Sequence, residues 1–205
     1  MDGLHEYKEK IMWNCILGER KTGKSVYIEN RVKEIDTEAL YIATLPNIKR
    51  YQSVIEQHKK RRPATWECMD LFRLSAEEIR DYPYLEYKNI ILDNLSYFLL
   101  YQIYFRKERF WEQCNDNFFA LMEMLAQAKT TTVYLIDTPV RMGLLEADER
   151  IWITYIFDSI LERAVKLEKF HDDGTTSILT VQESKTYFYN YEEEAPCQKH
   201  LRQNN

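Results

Sequence analysis

Residues 12 to 25 read MWNCILGERKTGKS. An apolar hexad runs into Gly18, four residues intervene, and Gly23-Lys24-Ser25 follow. This is the pattern of a phosphate-binding loop, and it constrains the fold more than any other stretch. The loop needs a buried strand before it and a helix after it. Its backbone N–H groups turn inward around phosphate oxygens, and the helix adds its positive end. Only five glycines occur in 205 residues, so two of them at this spacing is informative. Both flanks fit: MWNCIL is short and apolar, and VYIENRVKEID places Val26, Ile28 and Val32 among charges at helical spacing.

In such a loop Gly18, Glu19, Arg20, Lys21, Thr22 and Gly23 wrap the phosphates, Lys24 reaches their oxygens, and Ser25 holds Mg²⁺ through its hydroxyl. The metal calls for an acid at the end of a neighbouring buried strand. Asp93, ending NIILD, is the expected partner; Asp137, ending VYLID, is its rival.

The rest of the chain alternates strand and helix. Strands are predicted at 12–17, 39–44, 88–95, 130–138 and 177–182. Helices are predicted behind Ser25, over 47–61 up to Pro63, as two helices between 96 and 128, and over 146–170. Alternation of this kind predicts a mainly parallel sheet covered on both faces. The expected architecture is a three-layer α/β fold of the phosphate-loop, RecA-like type. One domain spans residues 1–187, and a polar tail spans 188–205. The length suits one domain with a sizeable core.

Net charge is -5, which disfavours a nucleic-acid partner. Cys15, Cys68, Cys114 and Cys197 show neither zinc spacing nor a disulfide framework. The N-terminus lacks the apolar core of a signal peptide, and no apolar run is long enough for a membrane span. A cytoplasmic protein is expected. His5 and His200 fall in terminal segments, and His171 in a turn before Asp-Asp-Gly.

Two further stretches exceed what a generic nucleotide binder needs. One contains Tyr41-Ile42-Ala43-Thr44, then His58 and Arg62-Pro63 with Trp66; the other leads from VYLIDT to Met142-Gly143. With Gly18 to Ser25 and Asp93, these resemble, in order and interval, the bifunctional adenosylcobinamide kinase / adenosylcobinamide-phosphate guanylyltransferase family of cobalamin biosynthesis. The resemblance spans about residues 13–182. It implies phosphorylation of the aminopropanol hydroxyl of adenosylcobinamide, with ATP or GTP as donor and Mg²⁺ as metal. Transfer of GMP from GTP to that phosphate would follow, through a histidine carrying GMP. His58 is the matching position. The implied partners are nucleotide and corrinoid substrates, and the implied assembly is a homotrimer.

The chemistry is coherent: a neutral imidazole attacks an α-phosphorus and splits one hard transfer into two easier ones. Lys59, Lys60, Arg61 and Arg62 sit beside His58 to neutralise phosphoryl charge. Trp66 is read as packing. The chain departs from the family pattern at Glu19, at Lys21, in LPNIKRYQSV and in TPVRMG. No residue between 138 and 170 is therefore assigned to corrinoid. Two alternatives stay open: a nucleotide-binding relative that has lost one or both activities, and a small-molecule kinase with another acceptor.

Overall fold

The computed structural model describes residues 12–36, 38–105, 110–127 and 131–190. Seven strands form one sheet. They are β1 (Met12–Leu17), β2 (Leu40–Ala43), β3 (Glu67–Asp70), β4 (Asn89–Asp93), β5 (Thr132–Asp137), β7 (Ala164–Phe170) and β8 (Thr176–Ile178), in the order β3-β2-β4-β5-β1-β7-β8. All neighbours pair parallel except β8, which runs antiparallel to β7 at the edge. A short parallel pair, β6 (Val140–Arg141) with β9 (Tyr189–Asn190), stands apart.

The central strands β1, β2, β4 and β5 are mostly apolar because helices cover both faces. Successive side chains on a strand point to opposite faces. In β1, Trp13, Cys15 and Leu17 enter one buried cluster while Ile16 enters the other; in β4, Ile90 and Leu92 are split from Ile91 in the same way. The helix α1 (Lys24–Ile35) closes the smaller cluster with Ile28 and Val32. The larger cluster takes residues of α3 (Ala76–Arg80), α4 (Leu95–Phe105), α5 (Phe110–Gln127), α6 (Ala147–Leu161) and α7 (Val181–Phe188). This is the predicted three-layer α/β architecture of the phosphate-loop, RecA-like type. Strand β5 lies between the loop strand β1 and β4, whose end carries Asp93. Among the described residues, no helix is long and apolar enough to cross a membrane.

Several elements depart from expectation. The helix predicted over 146–170 stops at Leu161, and residues 164–170 form β7 beside the loop strand. No glycine or proline marks the break; Glu162 and Arg163 alone make the turn. Pairing with β1 then takes over, with Leu167, Glu168 and Phe170 buried and Val165 exposed near the strand start. The strand predicted at 177–182 is only Thr176–Ile178, because Thr180 accepts from the Glu183 N–H and caps α7. Strand β3 and helix α3 were not expected. The first is a short edge strand with exposed Glu67 and Cys68, and the second is a single Ser75–Glu78 capping box. Two residues assigned to the tail pack into the domain: Phe188 is fully buried against Phe157, with ring centroids 4.3 Å apart, and Tyr189 is buried too. Residues 191–205 lie outside the described residues, as do His5 and His200.

Candidate functional site

The loop behind β1 closes tightly. A Cβ on Gly18 would lie 2.8 Å from the Phe170 carbonyl and 2.9 Å from Lys24 Cδ, so only glycine fits. Gly23 sits at φ 105° and Lys21 at φ 64°; both are left-handed, and they turn the chain into α1. The Lys24 ammonium donates to the Gly18 carbonyl at 2.7 Å and to the Glu19 carbonyl. Burial lowers its pKa, while Asp93, Asp137 and Glu19 oppose that shift. Lysine is thus held across the loop mouth by carbonyls that a phosphate would replace.

Asp93 ends β4 beside the loop. Its Oδ2 accepts from Ser25 Oγ at 2.6 Å and from the Tyr41 hydroxyl at 2.5 Å. Thr44 Oγ1 donates to the Asp93 carbonyl and accepts from the Asn94 N–H, each at 2.7 Å. Tyr41 and Thr44 therefore fix the acid that Ser25 meets. Their signal was already in the sequence, as the Tyr-Ile-Ala-Thr segment, but spacing alone gave it no role. The rival, Asp137, is fully buried and points elsewhere. It accepts from the Ser96 N–H at 3.0 Å, from Ser96 Oγ, and from the Thr138 N–H at 2.8 Å. Burial pushes its pKa up to about 7. Ser25 and Asp93 offer a hydroxyl and a carboxylate, the hard oxygen donors that Mg²⁺ takes, with water and phosphate to complete its shell. Among the described residues, no group of three or more His, Cys, Asp or Glu side chains gathers to hold a metal ion alone.

One cleft of about 360 Å³ joins this loop to α2 (Gln52–Arg61). Arg20, Lys21, Lys24, Ser25 and Asp93 line one end; His58, Lys59 and Arg62 line the other. Gly18, Glu19, Thr22 and Gly23 build the loop without lining the cleft, and Thr22 Oγ1 donates to the Glu19 carbonyl at 3.0 Å. Lys60 does not line it either.

What holds His58 was missed by sequence reasoning. Glu29, on α1, is fully buried. Its carboxylate takes Arg61 at 3.0 and 3.2 Å, lies 3.6 Å from Arg62 Nε and 3.9 Å from His58 Nδ1. The Arg62 guanidinium stacks over the Tyr41 ring at 3.3 Å. His58 Nδ1 lies 3.3 Å from Arg61 Nη2. Burial lowers the His58 pKa; Asp93 and Glu29 pull it up, and Arg61 and Arg62 push it down. The net shift is downward and favours the neutral imidazole. Trp66 is a packing residue, buried with Tyr41 and Ile91. His171 sits in the β7–β8 turn with Nε2 2.9 Å from Ser177 Oγ. Met142 and Val140 are buried core residues, and from that late stretch Thr138 reaches the cleft.

No curated protein matches the chain. Among solved structures it is similar to the RadB recombinase, at 9% identity and TM-score 0.45, over 77% of this chain and 73% of that one. The strand order, rather than that neighbour, carries the fold. The family model described as cobinamide kinase / cobinamide phosphate guanyltransferase matches residues 14–163, well over half of the 205. The match takes in the loop, Asp93, and the α1 and α2 residues around His58, and the chain belongs to that family.

Proposed function

We propose that the chain catalyses both reactions of its family in cobalamin biosynthesis: phosphorylation of adenosylcobinamide, and transfer of GMP to the resulting phosphate through a guanylyl-histidine at His58. The observation that carries this reading is the shared cleft, which puts Lys24, Ser25 and Asp93 at one end and His58 at the other.

The loop amides and Lys24 hold the triphosphate of ATP or GTP. Ser25 and Asp93 would hold Mg²⁺ together with the nucleotide, and the metal would offset phosphate charge. In the first reaction these groups fix the γ-phosphoryl group for attack by the aminopropanol hydroxyl. In the second, a His58 ring nitrogen attacks the α-phosphorus. A P–N bond forms, the P–O bond to pyrophosphate breaks, and pyrophosphate leaves. The corrinoid phosphate then attacks the same phosphorus and releases the imidazole. Lys59 and Arg62 line the histidine end and stabilise the phosphoryl oxygens there. The homotrimer implied by the resemblance goes with this reading, and sedimentation of the purified chain tests it.

The test is product formation. Purified protein is given adenosylcobinamide, ATP, GTP and Mg²⁺, and the corrinoids are separated. The reading expects the phosphorylated and then the GDP-linked corrinoid. A folded protein that binds nucleotide yet yields neither product overturns it; phosphorylation without the GDP-linked product leaves only the kinase.

A further inference from the structure

Glu29 is an expensive residue to bury. A carboxylate inside a core is strongly disfavoured unless it is paired. It sits on α1 one turn beyond Ser25, and its two oxygens face His58, Arg61 and Arg62, all from α2 or its end. One acid thus ties the phosphate-loop helix to His58, Arg61 and Arg62.

The ring nitrogen at that junction is Nδ1. It lies 3.3 Å from Arg61 Nη2 and 3.9 Å from Glu29 Oε1, while the same Nη2 donates to Oε1 at 3.2 Å. A guanidinium has no acceptor, so in this contact Nδ1 accepts and the ring proton sits on Nε2. With Nδ1 turned to Arg61 and Glu29, Nε2 is the nitrogen left for a phosphorus, and here its lone pair is occupied by that proton. The opposite tautomer needs an acceptor for an Nδ1 proton. Glu29 is the carboxylate within reach, and Arg61 stands between them. Arg61 is also the less buried arginine: its side chain is 34% exposed, against 9% for Arg62.

From this we infer that Glu29 is a positioning residue for His58 and that Arg61 is a latch on it. With no anion nearby, Arg61 occupies both Glu29 and Nδ1 and keeps the nucleophile in its resting tautomer. Arg61 does not itself line the cleft, whereas its neighbours His58 and Arg62 do; a triphosphate seated there draws Arg61 off Glu29. Nε2 loses its proton to water, Nδ1 gains one from water, and the Nδ1–H bonds to Glu29. Attack by Nε2 then leaves a cationic phosphoimidazolium whose Nδ1–H is balanced by the Glu29 carboxylate. Histidine guanylylation is thereby coupled to nucleotide arrival. This rests on the reading of His58 above as the GMP carrier, but the tautomer itself is measurable without any transfer.

The experiment is ¹⁵N spectroscopy of histidine-labelled protein, with His58 assigned by comparison with His58→Gln. Spectra are taken with and without the α,β-methylene analogue of GTP and Mg²⁺, and analogue binding is followed separately by calorimetry. Expected is an Nε2–H ring in the free wild type and an Nδ1–H ring with the analogue. Arg61→Met, which leaves Arg62 to pair with Glu29, shows the Nδ1–H ring without any nucleotide. Glu29→Gln, checked for a native fold by circular dichroism, shows no such conversion and forms the GMP adduct about 10²- to 10⁴-fold more slowly, the range for losing the acid that sets a catalytic histidine's tautomer. An Nδ1–H ring already present in the free wild type, or the Nε2–H ring persisting in Arg61→Met, overturns the latch. Normal conversion in Glu29→Gln overturns the role of Glu29. A wild type that shows both tautomers as expected yet never forms an adduct supports the coupling and sinks the guanylyl-transfer reading alone.

Discussion

The two ends of the cleft are built differently. The loop end is made of strand termini. Gly18 is wedged against Phe170, Asp93 is gripped by Ser25, Tyr41 and Thr44, and α1 buries Ile28 and Val32 beneath it. The histidine end rides on α2, which buries none of its own residues and is anchored through charge, chiefly to Glu29 and by Arg62 on Tyr41. Packing makes the first end rigid. The second is held by ion pairs that an arriving anion competes for. On the reading proposed above, a site of this kind separates a preformed phosphate clamp from a nucleophile that can be rearranged.

The sharpest way to break that contrast is at the clamp. Lys24→Ala removes the ammonium held on the Gly18 and Glu19 carbonyls, and phosphorylation of adenosylcobinamide should fall about 10³-fold, the scale of losing a preorganised charge at a transferring phosphoryl group. Steady-state assay with ATP and Mg²⁺ checks it; a loss of less than about tenfold would mean the loop is not the donor site.

Stability should divide along the same line. Ile28→Ala, at a fully buried α1 position, is expected to cost about 2–5 kcal/mol, while Val54→Ala on α2, 38% exposed, stays within about 0.5 kcal/mol. Denaturant unfolding of the two variants measures the gap, and equal costs would erase the difference between the ends.

The buried acid next to the clamp gives a pH signature. Asp137 rises from its usual 3.8 to about 7 on folding because burial disfavours its charge. Its contribution is therefore favourable below the unfolded value and is lost as pH rises through about 7. Over that window wild type should lose about 2 kcal/mol relative to Asp137→Asn, a fraction of the full linkage. Unfolding of both proteins at pH 5 and pH 8 reads the difference, and parallel behaviour would contradict it.

The smallest effect tests how Asp93 is held. Tyr41→Phe deletes one of the two donors on Asp93 Oδ2 and leaves Ser25. A loss of about 1 kcal/mol in nucleotide–Mg²⁺ binding is expected, roughly fivefold in the dissociation constant. Calorimetric titration would show it.

The rigid end was also the legible one. Gly18, Gly23, Lys24 and Ser25 sit at fixed spacing because one backbone shape cradles phosphate, and Asp93 follows from the rule that an acid ends a neighbouring buried strand. The histidine end was legible only through resemblance. Nothing local marks Glu29 as special, since it lies among exposed charges on an ordinary amphipathic helix, and its partners are some thirty residues away. Strand β7 was hidden for a related reason. Leu161 to Ala164 carry no breaker, so periodicity ran on as helix, whereas pairing with β1 decided the structure. Edge strand β3 has too little burial to leave a pattern.

The measurement that bears most directly on the whole account is covalent trapping. Protein is incubated with Mg²⁺ and GTP labelled at the α-phosphate, denatured, and digested, with His58→Ala and Lys24→Ala alongside. The account predicts acid-labile label on the peptide carrying His58, absent from His58→Ala, diminished in Lys24→Ala, and discharged from wild type by adenosylcobinamide phosphate. Label that persists in His58→Ala, or no label on a folded wild type that binds GTP, would contradict it.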